Sequence, residues 1–241
     1  MVQPGQITFY THVYSPYCHR VHIALEEAKA EYTPCSINLM DRPPWYNTKV
    51  NPAGKIPAIT YGGPKHASED PSPEAAKINE STVILEFLAD IFPEAKLLPT
   101  DPVQRAQARL VIATWEAKGF EGFKDFFFMY AQATSPEKTL LDGLDAFQAR
   151  LPATGFAVGE WSNADSAVAP FLLRAELLLK NDLGTYPVGE GKKLYEVLQG
   201  PRFARLRKYL EDVKEHPTIK TTWDEALQFG IWSQNPMFKR A

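Results

Sequence analysis

Residues 7–22 read ITFYTHVYSPYCHRVH, and this stretch decides the fold. Ile7-Thr8-Phe9-Tyr10 is rich in β-branched and aromatic residues and reads as a buried strand. After a short loop, Val21, Ala24, Leu25 and Ala28 recur at helical spacing. Ser15-Pro16 therefore marks the hand-over from strand to helix, with Pro16 suited to the first helical position. Unpaired backbone N–H groups and the positive end of the helix dipole meet at such a turn, which favours an anion. Any chemistry with a small anionic ligand is expected here.

Working outward, residues 32–37 read as a second strand, giving a βαβ start with a helix at about 16–29. Residues 41–54 (DRPPWYNTKVNPAG) form a Pro- and Asn-rich connection. In Lys55-Ile56-Pro57-Ala58-Ile59-Thr60-Tyr61 the proline forfeits a ladder donor. It belongs at a strand edge, a strand start or a cis turn. Residues 62–77 are polar and rich in Pro and Gly, and are expected to be a mobile surface loop. Glu80-Ser81 open a helix whose buried face is Val83, Ile84, Phe87, Leu88 and Ile91.

The stretch from Phe92-Pro93 to Asp101-Pro102 is the expected domain boundary, separating residues 1–92 from 101–241. Everything beyond it reads helical. Asp101-Pro102 caps a helix expected to run to about Ala133. Ser135-Pro136 starts another, ending near Arg150. Ser162-Asn163-Ala164-Asp165 has capping-box spacing and opens a helix through Leu179. Residues 201–215 and 218–230 complete the set. The fold class is thus α/β followed by all-α.

Composition narrows the function. The chain has 241 residues, 44 % hydrophobic and 23 % charged, as in ordinary globular proteins. A net charge of −3 without long runs of one sign argues against nucleic acid as a partner. The opening MVQPGQ lacks the basic and apolar regions of a secretory leader. Val168–Leu179 is too short, and too interrupted by Arg174 and Glu176, to cross a bilayer. Two cysteines do not make a disulfide framework, so a reduced, cytoplasmic protein is expected. Cys18, His19 and His22 on one short helix rarely make a metal site, so no metal is expected.

Four motifs, S-P-Y-C-H-R at 15–20, N-P-A-G-K-I-P at 51–57, N-E-S at 79–81 and S-N-A-D at 162–165, span most of the chain. In this order they resemble the cytosolic glutathione transferases. Ile37-Asn38-Leu39 with Arg42-Pro43 and Trp45, and Ser15-Pro16-Tyr17 with Arg20, look most like the omega class. The resemblance implies a thioredoxin-like domain followed by an all-helical domain, a homodimer, and glutathione as co-substrate. The omega class usually has a nucleophilic cysteine where this chain has Ser15.

Each candidate carries two readings. Ser15 is either a helix cap or a catalytic hydrogen-bond donor to the glutathione thiolate; one hydroxyl can do both. As a covalent nucleophile it lacks an elbow motif and an oriented base. Cys18, one turn on, is a reactive thiol or a small apolar residue. Pro57 is a cis proline or a plain edge proline. By resemblance, the Ile56 backbone pairs with the cysteinyl part of glutathione. Glu80 meets its ammonium and Ser81 its γ-glutamyl carboxylate. Arg42 and Lys55 are candidates for the glycyl carboxylate, or solvated surface cations.

Phe120, Phe123, Phe127 and Tyr130 form one helical stripe. Some of it must be core or interface. An aromatic-lined acceptor site is also expected, with Tyr17, Phe123, Phe127 and Trp223 as its residues. The resulting expectation is conjugation of glutathione to hydrophobic, aromatic electrophiles, with weak or no thiol–disulfide exchange. The alternatives are a non-catalytic ligandin for aromatics such as polyphenols, and a residual thiol transferase using Cys18.

Overall fold

The computed structural model describes residues 5–238. The chain divides into two compact units, Met1–Leu98 and Pro99–Ala241.

The first unit contains β1 (Ile7–Thr11), α1 (Pro16–Glu27), β2 (Tyr32–Ser36), α2 (Pro44–Lys49), β3 (Ala58–Tyr61), β4 (Ala76–Asn79) and α3 (Ser81–Ile91). The sheet order is β2-β1-β3-β4. β1 runs parallel to β2 and antiparallel to β3, with Phe9 opposite Pro34 and Ile59. β4 runs antiparallel to β3. A right-handed crossover through a helix is the expected way to join parallel neighbours, and α1 supplies it. This is the thioredoxin-like arrangement. Ile7, Phe9, Tyr10, Val21, Ala24, Leu25, Ile84, Leu85 and Leu88 are buried, so β1, α1 and α3 share the core.

Of the expected 62–77 loop, Ala76 and Lys77 belong to β4, and the rest makes contacts back to the unit. Tyr10 sits in the sheet core, yet its hydroxyl donates to Ser68 O at 2.8 Å. Burial pushes the Tyr10 pKa up to about 12, so it stays a donor. Lys49 pairs with Asp70 at 2.9 Å. These contacts are too distant in sequence to read from the segment's composition. β4, which follows it, was hidden by the same polar run.

The second unit is helical: α4 (Pro102–Thr114), α5 (Phe120–Phe128), α6 (Pro136–Gln148), α7 (Asn163–Lys180), α8 (Glu190–Gln199), α9 (Ala204–Glu215), α10 (Pro217–Thr222) and α11 (Glu225–Ser233). The helix expected to reach Ala133 ends at Phe128 and is widened by a π turn at Trp115–Gly119. The run expected over 218–230 is two helices, because Asp224 accepts from Leu227 N–H at 2.9 Å and starts a new one. α8 has no side-chain cap of its own; Asp182 holds Gly189 and Gly191 N–H from outside it.

α7 is buried along nearly its whole length. Its cap is built on Asp165, which is fully buried. One carboxylate oxygen accepts from Ala157 N–H (2.8 Å) and Tyr209 O–H (2.9 Å). The other accepts from Ser162 N–H (2.9 Å) and Ser162 Oγ (3.2 Å). The capping box read in the sequence is therefore present, with two further donors added by the fold.

Among the described residues, no helix is long and apolar enough to cross a membrane.

Candidate active site in the thioredoxin-like unit

The end of β1 turns sharply into α1. Ser15 N–H donates to His12 O at 3.1 Å, and Ser15 O accepts the first helical bond from His19 N–H at 3.0 Å. The Ser15 backbone is extended (φ −77°, ψ 119°), as an N-cap requires. Its Oγ accepts from Cys18 N–H at 3.2 Å. The capping role is thus real. The hydroxyl proton has no acceptor among the described residues and stays available to a ligand. Ser15 is 6 % exposed, at the positive end of a twelve-residue helix.

Cys18 is 1 % exposed, so its sulfur is withdrawn from solvent. The His12 ring lies tilted against Tyr14 at 4.1 Å between ring centroids, and burial holds its pKa below the usual histidine value. Burial lowers His22 as well, against the opposing pull of Glu26. Among the described residues, no group of three or more His, Cys, Asp or Glu side chains is arranged to hold a metal.

The Ile56–Pro57 bond is cis. Neither the N–H nor the C=O of Ile56 has a hydrogen-bond partner among the described residues. An edge with its donor and acceptor both open suits an extended peptide. The turn before it is braced tightly. Lys55 O accepts from Tyr46 O–H (2.7 Å) and Asn51 Nδ2 (2.8 Å). Gly54 has φ +66°, a conformation that favours glycine, and a Cβ there would press on the Arg42 guanidinium, 2.7 Å from Cζ.

Arg42 is engaged in that turn, donating to Asn47 Oδ1 at 2.6 Å and Gly54 O at 3.1 Å. It serves the loop before any ligand. Lys55 is exposed, with no ion pair among the described residues.

Glu80 precedes α3 with φ +65° and ψ 114°, an unfavourable conformation for a residue with a Cβ. Its side chain is exposed and makes no cap bond. Ser81 follows as the first helical residue, buried, with its Oγ accepting from Arg20 Nη1 at 3.2 Å. Arg20 lies on α1 and is a residue whose role sequence reading missed. The missing signal was its burial: an arginine at the fifth position of a helix reads as surface.

The acceptor candidates fall in different settings. Tyr17 is half-buried, with the Arg20 guanidinium 5.0 Å from its ring. Phe123 and Phe127 are buried in the core of the helical unit. Phe123 meets Phe171 edge-on at 5.5 Å, and Phe127 lies against Phe126 at 5.2 Å. The Gly122 face of α5 packs closely on α6, since a Cβ at Gly122 would lie 2.6 Å from Leu140 Cα. Phe123 is 4 % exposed and Phe127 fully buried. Trp223, between α10 and α11, is half-buried, with the buried Arg174 guanidinium at 5.1 Å.

A four-stranded thioredoxin-like unit with a cis proline and an open backbone edge, followed by a helical unit, is the glutathione transferase fold. The family profile described as "Glutathione S-transferase, N-terminal domain" matches residues 14–91. The crystal structure of glutathione transferase Omega 1C from Trametes versicolor matches with a TM-score of 0.93. It is 43 % identical and covers 99 % of this chain and 100 % of that one. Omega 2S from the same fungus, in complex with 2,4-dihydroxybenzophenone, matches with a TM-score of 0.88 and 47 % identity, covering 97 % and 99 %. A curated relative, pyrimidodiazepine synthase of Drosophila melanogaster, is 28 % identical over 93 % of this chain and 83 % of that protein. The chain belongs to the glutathione transferase family, in its omega class. The family uses glutathione as co-substrate.

Proposed function

We propose that this chain is a glutathione transferase that holds the glutathione thiol as a thiolate with Ser15 and adds it to hydrophobic, aromatic electrophiles. The observation that carries this reading is the hydroxyl geometry. Ser15 Oγ accepts Cys18 N–H, which polarises the hydroxyl and leaves its proton to donate to sulfur. The α1 dipole favours the same anion. Each tenfold gain in thiolate population needs about 1.4 kcal/mol of preference for the charged form. The thiolate then attacks the electrophilic carbon. A C–S bond forms, and the leaving group departs with its electron pair or, in an addition, the adduct takes up a proton. No covalent enzyme intermediate is formed; the enzyme contributes proximity and charge stabilisation.

In this reading the Ile56 backbone pairs with the cysteinyl residue. Glu80 meets the ligand's ammonium and Ser81 its α-carboxylate. Lys55 takes the glycyl carboxylate, with Arg42 shaping the turn beside it. Tyr17 and Trp223 are the acceptor candidates with exposed ring surface; Phe123 and Phe127 support the helical unit from its core. Aromatic ligands, polyphenols included, are the proposed partners, together with a second copy of the chain in the cytoplasm. The Omega 2S complex with 2,4-dihydroxybenzophenone supports the ligand class.

The same complex favours a second reading, a ligandin that sequesters aromatics without turning them over. Turnover of a conjugation substrate and of a mixed disulfide separates the readings, in wild type, Ser15→Ala, Ser15→Cys and Cys18→Ser. The proposal expects conjugation to fall in Ser15→Ala and disulfide exchange to appear in Ser15→Cys. No conjugation by wild type, with tight dye binding, supports the ligandin instead. Disulfide exchange by wild type that is lost in Cys18→Ser supports a thiol transferase.

A further inference from the structure

A groove of about 260 Å³ opens in the helical unit between α7, α8 and α9. Its floor is apolar, formed by Leu144, Leu172, Ala175 and Leu206, all otherwise buried. At Ala175 the α7 wall ends in a single methyl group, one turn on from Leu172, and this short side chain leaves room. An apolar cavity of about 150 Å³ already holds benzene. This groove therefore takes one aromatic system or short alkyl chain. None of the residues assigned above to glutathione or its acceptor lines it.

The rim carries four charged side chains, and the fold answers three of them. Arg207 Nη1 donates to Leu198 O at 2.9 Å and Gly200 O at 2.5 Å, at the C-terminal, negative end of α8. Lys214 pairs with Glu176. The fourth, Glu211, is exposed and has no ion pair among the described residues. Lys208, one turn before it on α9, is committed to Asp212 at 2.7 Å. Tyr195 lines the same groove from α8 and is half-buried. Among the described residues, its ring has no stacking partner and its hydroxyl no hydrogen bond. A carboxylate without a cation and an aromatic face without a partner, above a leucine floor, are complementary to an organic ammonium.

We propose that this groove is a second, non-catalytic binding site, and that it takes a small hydrophobic amine. The ring or alkyl body lies on the leucine floor. The ammonium is shared between the Glu211 carboxylate and the Tyr195 ring. The site is independent of the reading of Ser15 and stands whether or not the chain conjugates glutathione.

The test is calorimetric titration of the full chain, at neutral pH and low salt, with naphthylmethylamine and with its neutral analogue naphthalenemethanol. Wild type is expected to bind the amine about threefold to thirtyfold tighter, the combined range of an exposed ion pair and a cation–π contact. Glu211→Gln is expected to remove most of that preference by weakening the amine alone. Ala175→Leu, which fills the floor, is expected to weaken both molecules about tenfold or more. Turnover per folded molecule is expected to stay at the wild-type value in both variants. If Ala175→Leu does not fold, Glu211→Gln, at an exposed position, still decides. A preference kept in Glu211→Gln overturns the inference, as does amine binding that survives the filled floor or a wild type that binds neither molecule.

Discussion

Replacing Asp165 by Asn tests how the helical unit is held together. The carboxylate is fully buried and accepts four hydrogen bonds, two from fixed backbone N–H groups of Ala157 and Ser162. Those two donors lie on different oxygens. An amide has one oxygen, so in either orientation one backbone N–H faces its NH2 group. The hydroxyls of Tyr209 and Ser162 can turn and accept instead. The backbone N–H cannot. Leaving it unpaired costs about 1–3 kcal/mol, and exchanging a charged acceptor for a neutral one adds about 1 kcal/mol. At pH 7, where the carboxylate is ionised, a total near 3 kcal/mol corresponds to a fall in Tm of about 6–12 °C for a chain of this size. The loss is also pH-dependent. Burial, working against its hydrogen bonds, pushes the Asp165 pKa up to about 6, above the unfolded carboxyl value of about 3.9. Between these values the folded state binds a proton that the unfolded chain does not. This contribution to stability is complete below the unfolded pKa and is lost as pH rises through the folded one. Denaturant unfolding of both proteins from pH 4 to pH 7 reads the difference. The gap between wild type and Asp165→Asn is expected to narrow as pH rises. A variant as stable as wild type, or a gap that widens with pH, refutes the reasoning.

Three further outcomes are expected. Glu80→Ala keeps the same strained backbone and an exposed position, so its melting temperature stays near that of wild type. Glutathione affinity falls about tenfold or more as a charge-assisted contact is lost, measured by calorimetry. Gly122→Ala drives a methyl into the α6 backbone at Leu140; overpacking of this kind costs about 1–3 kcal/mol, read as a shift in denaturant midpoint. Cys18→Ser places a hydroxyl at a buried site; it is expected to lower stability by about 1–3 kcal/mol while leaving conjugation per folded molecule unchanged.

The parts legible in the sequence were those written locally. Ser15-Pro16 and Ser162 to Asp165 are cap signatures whose partners lie within three residues, and both helices start where those signatures put them. The parts that escaped depend on contacts between distant residues. The 62–75 segment contacts Tyr10 and Lys49, α8 is capped from Asp182, and Ser81 accepts from Arg20, 61 residues away in sequence. Aromatic spacing alone did not distinguish core from acceptor surface. Phe123 and Phe127 share their stripe with the partly exposed Phe120, and burial separated them. Composition likewise gave no hint that Arg42 is engaged by Asn47 and Gly54.

The central claim is that Ser15 holds a thiolate. Its most direct measurement is the pH titration of enzyme-bound glutathione, followed by ultraviolet thiolate absorbance, in wild type and Ser15→Ala. Losing a hydrogen bond to a charged acceptor is worth about 1.5–3 kcal/mol, or about one to two pKa units. The bound thiol of wild type is therefore expected to titrate below free glutathione, and that of Ser15→Ala to move back up by about this amount. The same thiol pKa in both proteins, with glutathione bound in each, would contradict the account.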